Sequence, residues 1–316
     1  MKILKKWWFW LTIILLVIVL AVLLFNSSKN KSSSFTPSTP GKNQETNWKD
    51  AGVAVSGKYA DADVLDLGNG KFRMYYSVEP EVQGNKLEMY SSVSSDGIKW
   101  TKEEGARKEF ATFPDAVKLP DGTFRLYFQN AGVIKSAVSS DGLTWKDETG
   151  TRIGNDEKGF SLDNVGAQTT TQLKDGTYII VYRGLENKPY GNEKLPNNTT
   201  SYFFYATSPD GINFTKKGIA LDSRNSTLKG FVDGAEWVKW DDNDLRLYFW
   251  TYSGIYHINF QNGAFIDKPT FDFSNNPNQP MPSNPPGDPT LIKIGSSWYM
   301  YYGQHTKGIY YATLTK

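Results

Sequence analysis

The chain has 316 residues, no cysteine and a formal net charge of +2, so a disulfide framework is excluded and the charge balance does not point to nucleic acid. Aromatic residues make up 15% of it, with 18 Tyr, 18 Phe and 10 Trp. Flat, stiff side chains of this kind pack well on a pleated surface, so the composition favours an all-β protein.

Residues 1–6 form a short basic tail, and residues 7–25 run from Trp7 to Phe25 without a charge. As a helix those 19 residues rise about 28 Å, just enough to cross a hydrocarbon core. Lys2, Lys5 and Lys6 precede the run, so the positive-inside rule keeps the tail in the cytoplasm and sends everything after Phe25 outward. The expectation is a single-pass signal anchor in the cell membrane. The alternative, cleavage and secretion, is disfavoured by the length of the apolar run and by the lack of a clean A-x-A site after it. Without cysteine a lipoprotein anchor is ruled out. Residues 26–46, "NSSKNKSSSFTPSTPGKNQET", are polar, rich in Ser, Lys and Pro, and unable to bury a core, so they read as a flexible linker.

Residues 47–316 remain for one domain, and they repeat. "DVLDLGNGKFRMYYS" from Asp63 matches "DAVKLPDGTFRLYFQ" from Asp115 without a gap, at an offset of 52 residues. Each copy has an acidic residue, an alternating apolar strand, a Gly turn and an aromatic-rich return strand, which is the pattern of a hairpin. Further copies start at Thr169 ("TTTQLKDGTYIIVYR"), Glu236 ("EWVKWDDNDLRLYFW") and Asp288 ("DPTLIKIGSSWYMYY"). A third strand follows each hairpin, and after four of them comes a short strand opening on Trp100, Trp145, Phe214 or Phe265. The fifth lacks that piece because the chain ends. "NWKDAGVAV" at Asn47 to Val55 resembles the missing strand, and is expected to supply it and leave no unpaired edge. The repeat spacing then predicts an all-β, five-bladed β-propeller with circular closure by its N-terminal strand.

The stretch "SSDGIKW" at Ser94 returns as "SSDGLTW" at Ser139 and "SPDGINF" at Ser208. Asp-Gly suits a tight turn, and the Ser and Asp side chains can bond the turn's own backbone. This explains the motif without a ligand, and the aromatic that follows is expected to pack between blades. Arg73, Arg125 and Arg246 recur at one position of the second strand and read as packing residues for the same reason.

First strands line the channel of a propeller, so the aligned positions Asp63, Asp115, Thr169, Glu236 and Asp288 should meet at one mouth of it. A lone Asp before a strand most often caps a turn. Four carboxyls in one register are a different matter, because like charges raise one another's pKa and let one stay protonated beside an ionised neighbour. Asp61 would share the face of Asp63, but the gap-free offset favours Asp63. Arg183 in "VYRG" and His305 in "YYGQHTKG" fall near the same loop end and could hold substrate, or in the case of Arg183 a surface ion pair. Phe113 and Trp237 lie near the aligned acids and could stack on a sugar, although most aromatics must serve blade packing. Two histidines and no cysteine argue against a zinc site, and no metal or cofactor is expected.

The five repeats, with "ADV" at Ala62, "PDAV" at Pro114, "GAEW" at Gly234 and "GDPT" at Gly287, resemble the five-bladed glycoside hydrolases that include arabinanases, β-xylosidases, levansucrases and invertases. In the family 43 branch, the resemblance implies Asp63 as general base and Glu236 as general acid, with a third Asp tuning the acid, a place that Asp115 or Asp163 could fill. Asp288, Arg183, Trp237, Phe113, His305 and Thr169 would then contact the substrate. The third blade departs from the pattern, with Gln168 and Thr169 where family 43 has an acid-tuning Asp. The "R-D-P" of levansucrases and the "N-D-P-N-G" of invertases are absent. The functional expectation is a membrane-tethered hydrolase of oligo- or polysaccharides, monomeric, with a carbohydrate as its partner. The alternative is a carbohydrate-binding propeller without catalysis. A sialidase, suggested by the partial likeness of the Ser-x-Asp-Gly turns to Asp-boxes, would need an arginine triad that is not apparent.

Overall fold

The computed structural model describes residues 47–315 except 81, 192–197, 267 and 280. The expected anchor and linker lie outside the described residues. Among the described residues, no helix is long and apolar enough to cross a membrane.

The described chain is all-β and forms five antiparallel sheets, the blades of a propeller. The inner strands, in chain order, are Tyr59–Gly68, Thr112–Lys118, Asn164–Gln172, Asp233–Asp241 and Gly287–Ile294. Each packs on the inner strand of the next blade, and the fifth packs on the first. Second and third strands follow by hairpins, and short outer strands complete the sheets. In the fifth blade the outer strand is Lys49–Ser56, which pairs antiparallel with Gly308–Thr315.

Because every blade is sandwiched between two others, successive residues of its second strand are buried on opposite faces. Met74 and Tyr76 join Tyr301 and Ile309 of the fifth blade, while Tyr75 joins Leu126 and Phe128 of the second. All three of Met74, Tyr75 and Tyr76 are 0% exposed. The period of two thus gives not apolar-in and polar-out but two dry faces, which accounts for the aromatic content. Five such clusters, one between each pair of neighbouring blades, make up the core.

The Ser-x-Asp-Gly turns dock onto the preceding blade. In the second blade, Asp141 Oδ1 accepts the amides of Leu143 and Thr144, and Ser139 Oγ accepts that of Gly142. The turn's outward carbonyls are then taken by the first blade: Arg73 donates to Asp141 O at 2.9 Å and Tyr75 to Gly142 O at 2.8 Å. Arg125 and Tyr127 repeat this on Asp210 and Gly211. Glu103 and Glu148 hold the other edge of the two guanidinium groups. Gly142 has φ +70°, and a Cβ there would lie 2.5 Å from Arg73 Nη1, so only glycine fits. The aromatic that ends the motif packs edge-on against the neighbouring blade, Trp145 on Tyr75, Phe214 on Tyr127 and Trp100 on Tyr301. Arg246 departs from the pattern, pairing instead with Asp244 and lying over the Trp240 ring.

Candidate functional site

Each inner strand carries the same irregularity near its start. The register jumps between Ala60 and Asp63, Thr112 and Asp115, Gly166 and Thr169, Asp233 and Glu236, and Gly287 and Thr290. Within every jump sits one residue with a left-handed backbone: Asp61, Phe113, Ala167, Gly234 and Asp288, with φ between 46° and 58°. A bulge re-aims the side chains around it, and five of them build two rings on the propeller axis. The bulge residues form an outer ring. Two positions further on, Asp63, Asp115, Thr169, Glu236 and Thr290 form an inner one.

This corrects the register of the fifth blade. Asp63, Asp115, Glu236 and Thr290 face Tyr75, Tyr127, Tyr248 and Tyr301 of their second strands, so Thr290, not Asp288, is the counterpart of Asp63. Asp288 is the counterpart of Asp61.

The inner ring is knit together by hydrogen bonds between blades. Asp63 Oδ2 accepts the amide of Ala116 at 2.8 Å, Thr169 Oγ1 that of Trp237 at 3.0 Å, and Thr290 Oγ1 that of Val64 at 3.1 Å. Having accepted, the two hydroxyls donate to Glu236, Thr290 to Oε1 at 3.0 Å and Thr169 to Oε2 at 3.3 Å. Burial pushes Asp63 up to about 7, with the Ala116 amide opposing. Asp115 and Glu236 are raised well above the usual carboxylate range, first by burial and then by the charge of Asp63. These three acids cannot all ionise in one dry interior.

The outer ring faces a pocket on the axis. It encloses about 290 Å³ including its open mouth, and its walls are Asp61, Phe113, Ala167, Gly234 and Asp288 with the residues that follow them. Asp63 and Glu236 also line it, whereas Asp115 does not. Burial pushes Asp61 up to about 7, the Ser77 hydroxyl opposing and the charges of Glu79 and Asp233 assisting. Asp288 is raised well above its ordinary value by burial and then by the charges of Asp61 and Asp233. Trp250 donates from Nε1 to Asp288 Oδ1 at 3.0 Å, which fixes that carboxyl.

Arg183 and His305 are each bonded to a carboxylate outside the pocket lining. Arg183 bonds Asp233 at 2.6 Å and Asn164 at 3.1 Å, with its guanidinium 5.7 Å from the centre of the Phe113 ring. His305 Nδ1 lies 3.0 Å from Glu79 Oε1. Phe113 therefore reaches both the pocket and Arg183. Trp237, expected to be able to stack on a sugar, is buried against Phe260 and Phe265 between the third and fourth blades and does not line the pocket. Thr169 bridges blades in the inner ring. Among the described residues, no group of three or more acids or histidines is arranged to hold a metal ion.

Sequence reasoning passed over Asp61, Glu79, Asp233 and Gln168. Asp61 carried a signal, since a left-handed backbone outside glycine is most readily taken by Asp or Asn. Gln168 stood out only as the third blade's departure from the family 43 pattern, which does not disclose its contacts. Its Nε2 donates to the Phe113 carbonyl at 2.5 Å, and its Oε1 is buried at the pocket wall without a partner.

No protein-family model matches the chain, and no curated protein matches it in sequence. Solved structures do match it in fold. A thermostable family 43 glycoside hydrolase shares 13% identity at a TM-score of 0.63, over 84% of this chain and 91% of that one. A family 43 enzyme of subfamily 1 from Xanthomonas citri shares 13% at 0.56, over 83% and 90%. A third match, at 15% and 0.56 over 84% of both chains, comes from work on the family 130 mannoside phosphorylases, which contain glycoside hydrolases that target β-1,2 mannosidic linkages in Candida mannan. At such identities the likeness is one of fold alone, a five-bladed β-propeller.

Proposed function

We propose that this propeller is a glycoside hydrolase that cleaves oligo- or polysaccharides with a pair of carboxyl groups. The observation that carries the reading is the axial pocket walled by Asp61 and Asp288, two acids on equivalent bulges of adjacent blades. The likeness in fold to glycoside hydrolases supports it. Asp288, fixed by Trp250 and kept protonated by its surroundings, serves as the general acid that protonates the leaving oxygen. Asp61, pushed up to about 7, is matched to the role of a base that takes a proton from the attacking water near neutral pH. Arg183 binds Asp233 and keeps that charge beside the other two. The pair expected from the repeat, Asp63 and Glu236, is the competing assignment, and both of its members are also engaged in contacts between blades.

Release of reducing sugar from arabino-, xylo-, fructo-, galacto- and manno-oligosaccharides tests the activity, with and without inorganic phosphate to separate hydrolysis from phosphorolysis. Asp61→Asn, Asp288→Asn, Asp63→Asn and Glu236→Gln then decide between the two pairs. A second reading, a carbohydrate-binding propeller without catalysis, is favoured by the third blade, which with Ala167 and Thr169 is the one blade that places no acid in either ring. Binding of a glycan without turnover would establish it.

The tether belongs to the same proposal. The uncharged run from Trp7 to Phe25 behind Lys2, Lys5 and Lys6 supports a signal anchor with the propeller on the extracytoplasmic side. Protein retained in membranes after alkaline extraction, with its N-terminus intact, is the expected result. A soluble product beginning after residue 25 would mean secretion instead.

A further inference from the structure

The polar groups around the pocket are one-sided. Among the described residues, no lysine, arginine or histidine lines it, while Asp61, Asp63, Glu236 and Asp288 do. Arg183 and His305 are bonded to Asp233 and Glu79. Beside the inner acids stands Gln168, 4% exposed, whose single remaining acceptor, Oε1, has no donor. Its own amide group is spent on the Phe113 carbonyl, so it cannot be turned to offer a donor without losing that bond. Glu236 has filled an acceptor position on each oxygen with a threonine hydroxyl, and the contact of Asp63 with Ala116 uses Oδ2. A buried acceptor left unmet costs about 1–3 kcal/mol, and clustered buried carboxyls cost more unless a cation answers them. Each deficiency asks for the same thing, a group rich in donors and positively charged.

We propose that the pocket takes an amino sugar with a free ammonium group, seated among Asp63, Glu236 and the unmet Oε1 of Gln168. An ammonium has three donors and no acceptor, which matches a set of acceptors. An N-acetylated sugar would replace that charge with a neutral amide and bring a carbonyl oxygen against carboxyls. A uronic acid or a phosphorylated sugar would bring a like charge. The assignment rests on the glycan reading above and narrows it to one substrate class.

Calorimetric titration of the full chain at neutral pH with glucosamine, galactosamine and mannosamine, each beside its N-acetyl form and its parent hexose, tests it. At least one amine should bind tenfold or more tighter than both counterparts. Gln168→Met, close in length but without the acceptor, should reduce that preference severalfold, and Glu236→Gln should abolish it, with each variant's melting temperature checked in parallel. If a hexose or N-acetyl form binds as tightly as its amine, or if the preference survives both substitutions, the amino-sugar assignment is overturned while the glycan reading stands. If no sugar of this panel or of the oligosaccharide panel binds or is cleaved, the glycan reading itself fails.

Discussion

The two rings on the propeller axis are built from the same five strands, two residues apart, and are put to different uses. In the inner ring, Asp63, Thr169 and Thr290 each accept an amide from the following blade, so polar side chains there act as clasps between sheets. In the outer ring the residues sit on bulges, where the ladder is interrupted and the ties are looser or come from side chains: Asp61 Oδ2 accepts the Phe113 amide at 3.4 Å, an amide that also donates to Ser77 Oγ at 3.1 Å, and Asp288 is held by the Trp250 indole. Asp61 and Asp288 are therefore less committed to clasping blades than the inner-ring residues, and Phe113, Ala167 and Gly234 shape the walls. An acid in a central channel is not by itself catalytic. What it is bonded to decides.

The sharpest way to break this comparison is to neutralise one acid in each ring. Asp288→Asn keeps the oxygen that accepts from Trp250 and removes the acid, so the turnover of whichever glycan is cleaved should fall by about 100-fold or more, about 2.7 kcal/mol in the barrier, with little change in melting temperature. Asp61→Asn should behave alike. If instead Asp63→Asn and Glu236→Gln abolish turnover at unchanged stability while Asp288→Asn does not, the roles of the rings are reversed.

Most of the frame behind this test was legible in the sequence. The hairpin repeat, the Asp-Gly turns and the packing role of Arg73 and Arg125 follow from local turn chemistry and recurrence, both of which are written in contiguous residues. The register of the fifth blade was not, for two physical reasons. In the first blade a second bulge between Asp66 and Gly68 adds a residue before the turn, and the fifth hairpin has no such bulge. The turn glycine also shifts place, since Gly70 ends its two-residue turn and Gly295 begins one. Counting back from the glycine therefore lands on Asp288 when the strand pairing selects Thr290. Bulges depend on which strand lies opposite, and that is fixed by tertiary pairing. The unmet acceptor of Gln168 depends likewise on the carbonyl of Phe113, 55 residues away in the chain.

A second substitution sharpens the boundary between shape and chemistry. Gly234 is the one outer-ring glycine, and a Cβ there would come 2.4 Å from Asp288 Oδ1 and 2.6 Å from its Cα. Gly234→Ala should displace Asp288 and cost about 1–3 kcal/mol in denaturant unfolding, combining a left-handed alanine with a forced shift. Turnover should fall at least tenfold, although no acid has been touched. In the inner ring the matching change is Thr290→Val, which leaves the buried amide of Val64 without its acceptor and takes a donor from Glu236. It should also cost about 1–3 kcal/mol, and Thr290→Ser should recover most of that because the hydroxyl is restored. If Thr290→Val is neutral, the inner ring is not a clasp.

The measurement that reads both rings at once is the dependence of stability on pH. Asp61 and Asp63 are each raised from an ordinary 3.8 to about 7. Between those two values the folded chain holds protons that the unfolded chain has released, so stability falls as pH rises through that window. Below about 3.8 both states are protonated and the two residues impose no penalty; above about 7 both states are ionised and the penalty is complete. The slope is opposite in sign to that of a carboxylate held by a salt bridge, which stabilises with rising pH. Asp63→Asn removes one of these titrations together with the charge that raises Asp115 and Glu236, so denaturant midpoints measured from pH 4 to 8 should decline less steeply than in the parent protein. The parent and variant curves should converge at the acid end and separate towards neutrality. Asp61→Asn should flatten the profile in the same sense, and a wild-type profile that rises through this window would mean that the acids are ionised in the folded protein by partners other than those identified.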